Sequence, residues 1–164
     1  MGRFFEKISF EQFKKEIADD IELYNKYELP IRKTKYSAGY DFIAISDIEI
    51  KPGEIKIIPT GYKAKFLPNE MLMLLVRSSM GFKYNIRMCN QVGIIESDYY
   101  NNTDNEGHLL IALQNEGDKT FRVKKGGSYA QGIFTSFLTC DDKVENIRVG
   151  GIGSTNKKEG KDNE

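Results

Sequence analysis

The sequence predicts an all-β sandwich or barrel with an added N-terminal α-helix, and three observations carry that reading. Beyond residue 30, short segments rich in β-branched and aromatic residues recur at fairly even spacing. Gly, Pro, Asn and Asp bound these segments, as tight turns require. Ahead of residue 30 the apolar residues fall three and four apart, a helical period.

Ser9 opens the helical stretch, with Gln12 three residues later in the order of a capping box. Phe10, Phe13, Ile17 and Ile21 then predict one amphipathic helix from about Phe10 to Tyr24, its stripe a docking surface. Leu29-Pro30 ends this N-terminal arm. Strands are expected at Asp41–Ala44, Glu54–Ile58, Met71–Val76, Gln91–Glu96, Leu109–Gln114, Thr120–Val123 and Tyr129–Phe134. Turns separate them at Ala38-Gly39, Lys51-Pro52-Gly53, Pro59-Thr60-Gly61, Leu67-Pro68-Asn69 and Asn115-Glu116-Gly117. From Gly150 onward the chain is rich in Gly, Ser, Thr and Lys, and is expected to be mobile unless a ligand or partner orders it. The expected organisation is a helical arm at 1–30, a β-barrel domain at 31–147 and a flexible tail at 148–164.

The 164 residues suit one domain, and their 24 basic and 24 acidic side chains cancel. No overall field then draws nucleic acid or a membrane surface. The longest apolar run, Met71 to Val76, is far short of the roughly 20 residues of a membrane-spanning helix. Cys89 and Cys140 are too few for a disulfide framework, and no signal peptide is evident, so a cytoplasmic, reducing setting is expected. Cys89 reads as a buried small hydrophobe. His108, the only histidine, has no second His or Cys nearby to suggest zinc or a serine-type triad.

The richest stretch chemically is Gly93-Ile94-Ile95-Glu96-Ser97-Asp98-Tyr99. On a strand, Glu96 and Asp98 would share a face beside an aromatic pair, Tyr99-Tyr100. Such a carboxylate can activate water next to a ring; it can equally be a solvated acid at a hairpin end. Arg77-Ser78-Ser79 follows a strand and leads into a helical turn, which suits phosphate through backbone N–H groups and a forked guanidinium. The competing reading is a serine N-cap with a surface arginine. Gly150-Gly151-Ile152-Gly153-Ser154-Thr155, after Arg148, could wrap phosphates, or could simply be a flexible tail. Asp41, after Ala38-Gly39-Tyr40, and Gln131, after Gly126-Gly127, each sit where a glycine turn enters a strand and read individually as structural.

Taken in order, the five segments resemble the five motifs of the trimeric dUTPases (deoxyuridine triphosphate nucleotidohydrolases), over about Lys35 to Thr155. They are Ala38 to Ala44, Arg77 to Gly81, Asn90 to Tyr99, Gly127 to Phe134 and Arg148 to Thr155. The resemblance implies a jelly-roll-like β-barrel, a homotrimer with active sites shared between subunits, and Mg²⁺-dependent hydrolysis of dUTP to dUMP and pyrophosphate. It implies Glu96 as the carboxylate that orients and deprotonates the attacking water. Arg77, Ser78, Ser79 and Gln131 would meet the phosphates, with Asp41 in support. Asn90, Gly93, Ile94 and Ile95 would read uracil, Tyr99 would lie against the deoxyribose, and Leu110 would also touch the substrate. Arg148, Ile152, Gly153 and Ser154 would close over the triphosphate. No metal ligand is implied, because Mg²⁺ is held mainly through phosphates and waters.

The chain departs from the family pattern in ways that resemble a divergent bacterial or phage branch. Glu96 stands where Asp is usual, which implies weakened turnover, and Ile152 stands where an aromatic residue is usual. Arg148 is one residue nearer the glycines, Asn156 replaces a glycine, and Ser128-Tyr129 replaces an acidic–basic pair. Tyr100 to Glu106 lengthens the hairpin. Two alternatives stand beside this resemblance: a dUTP-binding regulatory protein with little catalysis, which Glu96 and Ile152 favour, and dCTP deaminase, an enzyme of similar fold that also carries an Arg-Ser-Ser segment but whose catalytic Glu would fall at Ala112.

Overall fold

The computed structural model describes residues 2–141, 144, 148 and 150–152. In chain order the elements are β1 (Phe4–Lys7), α1 (Phe10–Glu16), α2 (Ile21–Lys26), β2 (Tyr40–Ile43) and β3 (Ile48–Ile50). They continue with β4 (Ile55–Pro59), β5 (Tyr62–Lys65), β6 (Glu70–Leu75), α3 (Ser78–Tyr84) and β7 (Ile86–Met88). The last are β8 (Gly93–Glu96), a 3-10 turn at Ser97–Tyr99, β9 (Leu110–Asn115), β10 (Phe121–Val123) and β11 (Ser128–Ser136). The strands form antiparallel sheets ordered β2-β11-β6-β8, β4-β9-β7, β1-β5 and β10-β3. This mostly β architecture is consistent with the jelly roll expected above.

The core follows from strand alternation. Leu72 and Leu74 of β6 point inward with Ile111 and Leu113 of β9, all essentially sealed from solvent. Alternation therefore turns Leu110 and Ala112 outward, where they are only half-buried. Phe42, Tyr62 and Tyr129 complete the interior. Among the described residues, no helix is long and apolar enough to cross a membrane.

The expected single N-terminal helix is instead a strand and two short helices. Phe4–Lys7 pairs with β5, a strand that the sequence pattern did not disclose. α1 ends at Ile17, whose backbone leaves helical geometry (φ −123°, ψ −69°), and Asp20 starts α2 by accepting a bond from Leu23 N–H at 2.9 Å. The apolar stripe thus spans two elements: Phe13 is buried, whereas Ile21 is 51% exposed. Ser9 does cap α1 by accepting from Gln12 N–H at 3.1 Å. The reciprocal bond to Ser9 N–H comes from Glu106, at 2.9 Å, and not from Gln12.

Cys89 is exposed, contrary to expectation. β7 ends at Met88, its last inward residue, and Cys89 lies beyond it in the turn.

His108 is fully buried and ties α1 to the turn before β5. Its Nε2 accepts the Gly61 N–H at 2.9 Å, so the proton resides on Nδ1, which bonds Glu16. Burial pushes the imidazole pKa down, against the pull of Glu16. The unfolded chain binds that proton more readily, so stability is full above the ordinary value of 6.5 and falls as pH drops through it. The urea midpoint is expected to be lower at about pH 5.5 than at about pH 7.5, with that pH difference reduced in His108→Asn.

Candidate active site

Among the described residues, two cavities gather the candidate site residues, and these two share no lining residue. The first, about 340 Å³, is mostly apolar and of a size that suits a small ligand. The outward face of β4 and β9 supplies one wall, Ile57, Leu110 and Ala112. The opposite wall is Gly93, Ile94 and Ile95 of β8, with Leu74 of β6 behind. A Cβ at Gly93 would come within 3.0 Å of the Leu74 side chain, so glycine permits the close approach of β8 to β6. β8 is the last strand of its sheet, so one edge of its backbone is not used in sheet pairing. Met88 and Asn90 flank it through the turn in which Gln91 adopts a left-handed φ of 62°.

Glu96, Tyr99, Arg148 and Ile152 stand around the same cavity. The strand ends at Glu96 and a 3-10 turn follows, so Glu96 and Asp98 do not alternate along one strand as the spacing suggested. They converge nevertheless, on Arg148. Its Nη2 donates to Glu96 Oε2 at 3.1 Å, and its Nε lies 3.4 Å from Asp98 Oδ1. Its guanidinium sits 5.5 Å from the Tyr99 ring centre. Tyr99 is buried, donates to the His108 carbonyl at 3.2 Å and accepts from Asn105 Nδ2 at 2.9 Å. Burial raises its pKa, keeping the phenol neutral at physiological pH.

The second cavity, about 440 Å³, is polar and brings together Arg77, Ser78, Ser79, Asp41 and Gln131. Arg77 is the N-cap of α3 and makes no side-chain cap bond, which corrects the serine N-cap reading. Its Nη2 lies 3.3 Å from Asp41 Oδ2, a buried oxygen that accepts no hydrogen bond. Gln131 donates from Nε2 to the Val76 carbonyl at 3.1 Å. A Cβ at Gly39 would fall 2.3 Å from Gln131 Oε1, so a larger residue there would displace the Gln131 amide.

Ile57, Met88 and Lys33 line the cavities but were not singled out from the sequence. Signals existed: Ile55 and Ile57 place exposed isoleucines on β4, and Lys33 lies in the basic run just before the first glycine segment. Gly153 and Ser154 lie outside the described residues. Among the described residues, no group of three or more His, Cys, Asp or Glu is placed to hold a metal.

The described residues thus place an edge strand beside an apolar slot, a carboxylate at its rim and a separate arginine–serine pocket. The dUTPase family model matches residues 25–156. The deoxyuridine 5'-triphosphate nucleotidohydrolase of Lactococcus lactis subsp. lactis is 42% identical over 142 residues, covering 82% of this chain and 95% of that protein. Its Haemophilus influenzae counterpart is 34% identical over 148 residues, covering 85% and 94%. A dUTPase crystal structure from Streptococcus mutans superposes with a TM-score of 0.66 at 38% identity, covering 87% of this chain and all of that one. The dUTPase of phage phi11 of S. aureus, at 18% identity and a TM-score of 0.64, shares the fold over 90% of this chain and 98% of its own. With its five segments in order and relatives matched over nearly their full length, the chain belongs to the dUTPase family.

Proposed function

We propose that this chain hydrolyses dUTP to dUMP and pyrophosphate through attack of water on the α-phosphorus. The observation that carries the reading is the first cavity: an apolar slot beside a free backbone edge, with one carboxylate, Glu96, at the rim. Backbone N–H and C=O groups from Asn90 to Ile95 suit the alternating donors and acceptors of uracil. Leu110 and Ile94 sandwich the ring, and Tyr99 leaves no room for a 2′-hydroxyl on the sugar. Glu96 orients the attacking water and takes its proton, the general-base role. Arg77, Ser78, Ser79 and Gln131 bind phosphate oxygens, with Asp41 holding Arg77 in place. Arg148, with Ile152, Gly153 and Ser154, closes over the triphosphate. Phosphoryl transfer needs this positioning and charge neutralisation more than covalent chemistry.

The residues present fit Mg²⁺. The second cavity offers hard oxygen donors, among them Asp41 Oδ2 and the Ser78 and Ser79 hydroxyls, without a closed protein cage. Asp41 and Gln131 would hold the ion through its waters, the binding mode Mg²⁺ favours beside phosphates. When bound, the ion neutralises charge on the phosphates.

Two separate cavities support a site assembled from more than one copy, and the motif order, which resembles the trimeric dUTPases, makes that assembly a homotrimer. Exposed Ile55, Ile57 and Ile94 around the first cavity give such an assembly an apolar face to cover. A cytoplasmic setting belongs to the same reading. Ala112 stands in the cavity wall with a methyl group that cannot move a proton, which disfavours deamination. Calorimetry with a non-hydrolysable dUTP analogue, paired with pyrophosphate release from dUTP, tests the proposal. Binding with release supports hydrolysis, binding without release makes the chain a dUTP sensor, and ammonia from dCTP overturns both.

A further inference from the structure

We propose that Asp104 is a positioning residue that seats the C-terminal tail over the first cavity, an inference that rests on the proposed function. The loop from Tyr100 to Glu106, which lengthens the hairpin relative to the family pattern, is built around a buried amide. Asn102 Nδ2 donates to the Tyr99 carbonyl at 2.8 Å, while Asn102 Oδ1 accepts the N–H groups of Asp104 at 3.0 Å and Asn105 at 3.2 Å. Glycine at 107 is required, since a Cβ there would lie 2.6 Å from the Tyr99 carbonyl oxygen. The backbone of Asp104 is thereby fixed to the turn that carries Tyr99.

The Asp104 side chain reaches the tail. Its Oδ2 accepts the Gly151 N–H at 2.7 Å, and a Cβ built at Gly151 would be in ordinary contact with Asp104 at 3.6 Å. The Gly151 carbonyl is held from the other side by Arg148 Nη1 at 3.3 Å. Gly151 is therefore held through both its N–H and its C=O, and the next residue, Ile152, lines the cavity. A charged acceptor on a backbone N–H is among the stronger hydrogen bonds available to a loop. A glycine-rich segment needs such an anchor, because glycine loses the most conformational freedom on ordering.

The two grips differ in what substrate does to them. Arg148 lies on Glu96 and Asp98, so the guanidinium must leave them to meet a phosphate. Among the described residues, Asp104 makes no hydrogen bond or ion pair to those assigned to uracil or phosphate, so an exchange of partners at Arg148 does not require its bond to Gly151 to break. Asp104 therefore favours the closed tail without entering the chemistry.

The chain contains no tryptophan, so Ile152→Trp supplies a single fluorescent reporter at the cavity. Titrating that variant with a non-hydrolysable dUTP analogue is expected to change its emission saturably. Adding Asp104→Ala shifts the midpoint to about fivefold higher analogue concentration, the worth of one exposed charge-assisted bond. In the otherwise unaltered chain, Asp104→Ala raises KM for dUTP by a similar factor and leaves kcat within about twofold. Asp104→Asn, which keeps an acceptor oxygen in place, restores most of the affinity. An identical titration with and without Asp104→Ala overturns the seat, as does a fall in kcat at unchanged KM. An unaltered chain that binds no analogue in calorimetry overturns the proposed function, and the seat with it.

Discussion

Replacing Glu96 with glutamine is expected to slow single-turnover dUTP hydrolysis by about 10²–10⁴-fold, the usual worth of a general base. The amide keeps the shape of the side chain and can still orient a water, but it cannot take a proton. Affinity for a non-hydrolysable analogue should not fall. Arg148 divides itself between Glu96 and Asp98, so an uncharged residue 96 leaves the guanidinium freer to meet a phosphate. A Glu96→Gln chain that turns over at the parental rate would remove Glu96 from the mechanism. Glu96→Asp probes position separately from charge. It draws the carboxylate back by about 1.5 Å, one carbon–carbon bond, to the length usual in the family. Misplacement by about 1 Å can cost roughly a hundredfold, so the aspartate is expected to raise the single-turnover rate. No gain would mean that the longer side chain already places its oxygen productively.

Arg77→Ala is the second large effect and acts on two quantities at once. Loss of a forked donor to phosphate should lower kcat/KM by about 10²–10³-fold, as for removal of a preorganised donor at a developing negative charge. Stability should also fall, because Arg77 is the ion-pair partner of the buried Asp41 at 3.3 Å. Breaking a buried pair costs about 3–5 kcal/mol, and partial exposure of the arginine discounts that to about 1–3 kcal/mol. The two effects separate in a double variant. Adding Asp41→Asn removes the stranded charge and should return most of the urea midpoint, while activity stays low. Recovery of both together would mean that Arg77 acts only by holding the fold.

The parts of this molecule that were legible in its sequence are those with local causes. Met71–Val76 and Leu109–Gln114 read as strands because short apolar runs end at turn residues, and β6 and β9 lie there; runs apolar on both faces do not tell Leu72, Leu74, Ile111 and Leu113 from their outward neighbours. The broken N-terminal helix was not legible from the apolar stripe, since Ile21 continues the spacing although it faces solvent. Its signal was Asp19-Asp20, an N-cap placed inside an apparently continuous pattern. β3 and β7 are only three residues each, too short for alternation to register. Glu96 and Asp98 were noticed as a pair, but their common partner, Arg148, depends on a 3-10 turn and a distant segment. The Asp104–Gly151 bond joins residues 47 apart, and no local pattern in either segment announces it.

The central claim is that water attacks the α-phosphorus of dUTP, and oxygen labelling tests it most directly. Hydrolysis in H₂¹⁸O followed by mass analysis of both products locates the new P–O bond. The account predicts one ¹⁸O in dUMP and none in pyrophosphate. Label in pyrophosphate, or release of inorganic phosphate with dUDP, would contradict it.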